Sequence, residues 1–242
     1  MNWLLIRGLG RDKRHWYKFP EQLEQQLDGG KVFCIDTPGL DGEANSAISI
    51  NSLSDHMREQ WLKEKANHSG DWSICAISLG GMIAIDWCSK YPNDFNKLVT
   101  INTSSKSTSP LFHRIKPRAI KTVLKSLLNK DLKSREKEIL AVTTNHLEVS
   151  DQILNDYVKI AETMNLNIVI LLKQLLAASQ FKLPAKIETP FTVLTGMGDN
   201  FTNYKCSEGI AKKYQAEIYY HKTAGHDLPS DDPEWVIKNL IS

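Results

Sequence analysis

Short, nearly unbroken apolar runs recur along the chain at Trp3–Ile6, Val32–Asp36, Trp72–Ile77, Leu98–Asn102, Phe191–Thr195 and Ala216–Tyr220. Runs of this length, without polar alternation, suit strands covered on both faces. Between them the apolar positions take helical spacing, as Met82, Ile83, Ile85 and Cys88 do after the third run. Such alternation predicts an α/β fold, a mainly parallel sheet of about six strands with helices on both faces. From Ser104 to Glu188 the rhythm changes. Longer apolar stretches at Val123–Leu128, Ile153–Ile160 and Ile168–Ala178 predict a helical insertion, giving a core at 1–103, the insertion at 104–188 and the rest of the core at 189–242.

The third run ends in a pattern that changes the reading from fold to chemistry. Residues 73–81 read Ser-Ile-Cys-Ala-Ile-Ser-Leu-Gly-Gly, which delivers Ser78 into a turn with Ala76 two residues before it and Gly80 two after. A strand–turn–helix elbow needs small residues at those positions because the backbone closes on itself, and it leaves a serine hydroxyl exposed. The helix expected over Gly81–Tyr91 aims its free N–H groups and positive dipole end at the space above Ser78, where acyl transfer develops negative charge.

A nucleophilic serine requires a base, and His226 is the best placed of the seven histidines. It lies in the loop Thr-Ala-Gly-His-Asp-Leu-Pro, after the last predicted strand and before a terminal helix starting near Pro233. Asp199 follows the strand Pro190–Thr195 and is the carboxylate expected to orient His226. Asp227, adjacent to His226, is poorly placed to reach Nδ1, and Asp36 and Asp86 are weaker alternatives. The order Ser78, Asp199, His226 differs from that of the two well-known serine-protease folds.

With these three residues in this order, the chain resembles the α/β-hydrolase superfamily over essentially its whole length. It is similar to the small esterase-like branch that includes enzymes demethylating a carrier-bound pimeloyl ester. Leu-Ile-Arg-Gly-Leu-Gly near the start, the Asp36-Thr37-Pro38-Gly39 turn and the Gly-His loop carry the likeness along the chain. The resemblance implies a helical cap over the site at 104–188, and an oxyanion hole formed by the backbone N–H groups of Leu9 and Leu79. Relatives usually carry histidine where this chain has Arg7. Arg7 reads either as a selector of anionic acyl groups or as a brace paired with a carboxylate. Trp16, beside His15, is a candidate for substrate binding, although a His-Trp pair opening a helix more often packs. The implied reaction is cleavage of a carboxylic ester of a small or medium acyl chain. Elimination of the kind run by a menaquinone-pathway synthase, acyl transfer, or ligand binding on the same fold remain as alternatives.

Composition narrows the remaining classes. With 242 residues and 41% apolar content, the chain can bury one sizeable core. No run approaches the roughly 20 apolar residues of a membrane span, and no basic leader precedes the first strand, so a cytoplasmic protein is expected. Cys34, Cys75, Cys88 and Cys206 lack metal or redox spacing. No phosphate loop or dinucleotide fingerprint occurs, so neither metal nor cofactor is expected. The net charge is +2, yet Lys106–Lys137 carries ten Lys or Arg against Asp131 and Glu136. That stretch is either a solvated face or a docking surface for an acidic acyl carrier protein; without interleaved aromatics it does not suit nucleic acid.

Overall fold

The computed structural model describes residues 1–39, 49–164 and 168–242. Six strands, β1 (Asn2–Ile6), β2 (Val32–Ile35), β3 (Trp72–Ile77), β4 (Lys97–Ile101), β5 (Phe191–Gly196) and β6 (Glu217–His221), form one sheet. Its order is β2-β1-β3-β4-β5-β6, and every neighbouring pair is parallel. The six expected strands are all present, with ends shifted by a residue or so.

Helices cover both faces, and the strands' side chains alternate between them. Leu4, Ile6, Ile74 and Ala76 face one cluster, with Leu53, Met57 and Trp61 of α2 (Ile50–Lys65) and Ile83 and Trp87 of α3 (Leu79–Lys90). Trp61 meets Trp72 and Trp87 edge-on at 5.6 and 5.7 Å between centroids. Trp3, Leu5, Cys75 and Ile77 face the opposite cluster, with Phe19 and Leu23 from α1 (Phe19–Glu24) and Val236 and Leu240 from the last helix, Pro233–Ile241. Each central strand is thus apolar on both sides, which is why its sequence shows no alternation. Capping sets the helix starts. Ser49 and Ser52 form a reciprocal capping box for α2, and the Asp232 side chain accepts the Trp235 N–H where the last helix begins.

Between β4 and β5 the chain forms α4 (Leu111–Arg114), α5 (Pro117–Leu128), α6 (Leu132–Thr143), α7 (Asp151–Thr163) and α8 (Ile168–Gln180). The three apolar runs fall on α5, α7 and α8. Helix α6 carries no such run, because only a narrow side of it is buried, through Glu136, Leu140 and Val142. The chain is completed by α9 (Lys205–Tyr214) between β5 and β6, and by α10 (Leu228–Asp231) and α11 (Pro233–Ile241) after β6. Among the described residues, no single helix is long and apolar enough to cross a membrane.

Because the strands are all parallel, the loops after β1, β3, β4, β5 and β6 emerge at one edge of the sheet, where ligands of open α/β sheets bind.

Candidate active site

Ser78 ends β3 and caps α3 with φ +56° and ψ −115°. This is a strained conformation for a residue with a side chain. Its own N–H donates to the Ile101 carbonyl at 2.8 Å, which pins the turn to β4. The surroundings explain the small residues. A Cβ on Gly80 would stand 2.6 and 2.7 Å from the carbonyl oxygens of Arg7 and Ile6, and one on Gly81 would stand 1.9 Å from Thr103 Oγ1. Gly8 passes so close that an added Cβ would be 3.2 Å from Ser78 Cβ.

His226 is buried, and its Nδ1 lies 2.7 Å from Asp199 Oδ2. The other carboxylate oxygen of Asp199 accepts the N–H groups of Phe201 at 2.6 Å and Thr202 at 2.8 Å, so the side chain is fixed from both ends. Lys116 Nζ donates to the Asp199 carbonyl. Phe201 packs on the imidazole at 4.8 Å between ring centroids. With Nδ1 engaged, Nε2 is the nitrogen left for chemistry, and His226 lines the same cavity as Ser78. Gly8 and Leu9 belong to that cavity wall. Leu79, as the first residue of α3, has an N–H with no partner inside the helix.

Arg7 and Trp16 each admit two readings from the sequence. Arg7 forms a buried bidentate pair with Asp227, Nη1 to Oδ1 at 3.0 Å and Nη2 to Oδ2 at 2.6 Å. Burial alone would raise the Asp227 pKa, but the Arg7 charge and hydrogen bonds outweigh it and hold the carboxyl below the usual range. The brace is therefore the arrangement Arg7 adopts, and its charge is already met. Trp16 is not among the residues lining the cavity. It stacks on Phe19 at 5.5 Å and lies under the Arg7 guanidinium, inside the core beside Leu5. An indole this large finds more apolar contact there than at a cavity wall.

His15 is fully buried, as a packing histidine should be, with Asp12 and Arg11 as its polar neighbours. Burial first, and then the Arg11 charge, push its pKa down to about 4. The unfolded chain takes up this proton near pH 6.5. The stabilisation is complete above that pH and is lost as pH falls towards 4, by on the order of 3 kcal/mol. Urea unfolding at pH 7 and pH 4.5 should show this loss, and the imidazole should remain neutral in NMR spectra at pH 5.

Asn102 is a residue whose role the sequence does not signal. It has φ +47°, donates to the carbonyls of Gly225 and His226, and accepts from Thr195 Oγ1 and the Gly196 N–H. It ties the histidine loop to the ends of β4 and β5. The one cue, an asparagine closing an apolar strand, suits a left-handed residue there.

The cavity holds about 370 Å³, and its apolar wall comes from Val123, Ile139, Ala161, Met164, Ile168 and Leu171 of the helical insertion. Of the ten cations in the insertion's basic stretch, Arg114 turns inward to the carbonyls of Ala178 and Ser179, Lys116 to Asp199, and Arg135 to the cavity. The other seven are exposed.

A family model described as serine aminopeptidase, S33, matches residues 4–233. The chain belongs to the S33 family. This S33 protein is 36% identical over 111 residues to the biotin biosynthesis bifunctional protein BioHC of Teredinibacter turnerae, a match covering 45% of the chain but 17% of that longer protein. Its fold is similar to a membrane phospholipase A described as a bacterial virulence factor, with TM-score 0.80, 16% identity and coverage of 99% and 77% of the two chains. A thermophilic esterase of Thermogutta terrifontis gives TM-score 0.73, 18% identity and coverage of 100% and 88%. The S33 protein thus has the α/β-hydrolase fold.

Proposed function

We propose that the protein hydrolyses carboxylic esters of small or medium acyl chains through an acyl-enzyme on Ser78. The observation that carries this reading is the cavity shared by the strained Ser78 and by His226, whose Nδ1 is held by Asp199. In this reading His226 Nε2 takes the Ser78 proton as Oγ attacks the ester carbonyl, and Asp199 steadies the imidazolium that forms. The backbone N–H groups of Leu9 and Leu79 stabilise the oxyanion. Collapse of the tetrahedral species expels the alcohol, protonated by His226. The same nitrogen then activates the water that releases the acid. The apolar wall from the insertion receives the acyl chain and limits its length.

The test is a ladder of p-nitrophenyl esters from acetate to decanoate, run beside labelling with a fluorophosphonate. Turnover with a chain-length optimum and label located on Ser78 are expected. Label without hydrolysis of any ester would move the assignment to elimination or acyl transfer. Absence of both would overturn a nucleophilic site altogether.

A further inference from the structure

The cavity that holds Ser78 is lined by three arginines, Arg7, Arg11 and Arg135, and by two carboxylates, Glu136 and Asp227. They do not cancel. Arg7 is matched by Asp227. Arg11 Nη1 lies 2.6 Å from Glu136 Oε2, a pair almost closed to solvent, with side-chain exposures of 12% and 2%. The Asp199 carboxylate, behind His226, is engaged by that imidazole and by the N–H groups of Phe201 and Thr202. Arg135 is what remains. Its Nε stands 3.6 Å from Glu136 Oε1, beyond hydrogen-bond distance, and among the described residues its side chain makes no hydrogen bond. Two guanidinium groups thus share the one Glu136 carboxylate, and the fork of Arg135, beside apolar walls, keeps donors that suit a further carboxylate.

We propose that Arg135, set in place by the Arg11–Glu136 pair, is an anion subsite of the cavity, and that the protein acts on esters whose acyl chain ends in a free carboxylate. The substrates are thus monoesters of dicarboxylic acids, an inference that rests on the esterase reading and names its substrate class. Glu136 does not repel such a group, because Arg11 already meets its charge. It acts on Arg135 from one side and leaves the other donors of the fork for the ligand. Alignment by a second, charged contact fixes the ester carbonyl against Ser78 and so raises kcat/KM as well as affinity.

The experiment compares mono-p-nitrophenyl esters of succinate, glutarate, adipate and pimelate with neutral p-nitrophenyl esters of the same chain lengths. The 4-carboxyphenyl ester of hexanoate, which carries its anion on the leaving group, is the third arm. The ratio of kcat/KM for the acidic over the neutral ester should favour the acidic one at one chain length. It should fall about tenfold or more in Arg135→Gln. Lys137→Gln, which removes the same charge from the exposed side of α6, should leave the ratio unaltered. An equal fall in both variants, no preference in the wild type, or a preference for the leaving-group anion would each overturn the subsite. Calorimetric binding of adipate to Ser78→Ala keeps the question separate from catalysis. Adipate that binds and is weakened tenfold by adding Arg135→Gln supports the subsite even if no ester is cleaved, whereas adipate that does not bind overturns it even if neutral esters are.

Discussion

On the proposed mechanism, Ser78→Ala is expected to lower kcat for ester turnover by about four to six orders of magnitude while the protein remains folded. The size follows from the unit to which the serine belongs. A residual rate is expected from the proposed oxyanion donors and the cavity, which would still align water and ester without a nucleophile. Asp199→Asn should give a loss of about 10⁴ by a different route, since an amide at this position would reverse the tautomer of His226 and turn its lone pair away from Ser78. The change is isosteric, and the N–H groups of Phe201 and Thr202 still find an oxygen to donate to. Thermal unfolding should therefore move little while kcat collapses. Wild-type turnover in Ser78→Ala, measured after titrating out contaminating esterase with a fluorophosphonate, would remove Ser78 from the chemistry. A loss in Asp199→Asn of less than tenfold would remove Asp199 from its orienting role.

How much of this was legible depends on the range of the interactions involved. The strands β1 and β3 declare themselves because both of their faces are buried, so all positions but Asn2 and Ser73 are apolar regardless of which helix covers them. Ser78 is equally local: the carbonyls of Ile6 and Arg7 approach so closely that only glycine fits at position 80, and that constraint is written beside the serine. Asp199 and His226 follow from strand order, since parallel strands bring their trailing loops to one edge. Asn102 and Asp231 were not legible, although both hold the histidine loop. Asp231 accepts N–H groups from Gly225 and from Asn145, His146 and Leu147 in the loop after α6. Single polar residues with partners far away in the chain leave no pattern. Helix α6 illustrates the same limit in the insertion. Its charged sequence hides a buried side, yet it supplies Arg135 and Glu136 to the cavity.

Breaking the Arg7–Asp227 pair from either side should cost about 3–5 kcal/mol of stability, because each single substitution leaves the other charge buried and unpaired. The two residues are 220 positions apart, and both are nearly inaccessible. Their net worth is smaller than that cost. Arg7→Met combined with Asp227→Leu should recover most of the loss, since it removes the desolvation of both ions together and leaves apolar groups beside Trp16. The pH dependence has a fixed sign. The Asp227 carboxyl is held below its ordinary value, so its contribution is present above about pH 4, where the unfolded carboxyl ionises, and is lost as pH falls through the lower folded value. Urea unfolding of the wild type, both single variants and the double variant at pH 7 checks the cycle, and repeating it near pH 3 should shrink the penalty of Arg7→Met. Equal stabilities for Arg7→Met and wild type at pH 7 would mean that the guanidinium is solvated in solution, and would return Arg7 to the role of a cation free to meet a substrate. The Asp227 N–H also donates to the Thr143 carbonyl at 2.7 Å, and Asp227 directly follows His226. The brace therefore joins the first loop of the core, the histidine loop and the end of α6 at one point, so that loss of the pair should loosen the wall of the cavity together with His226.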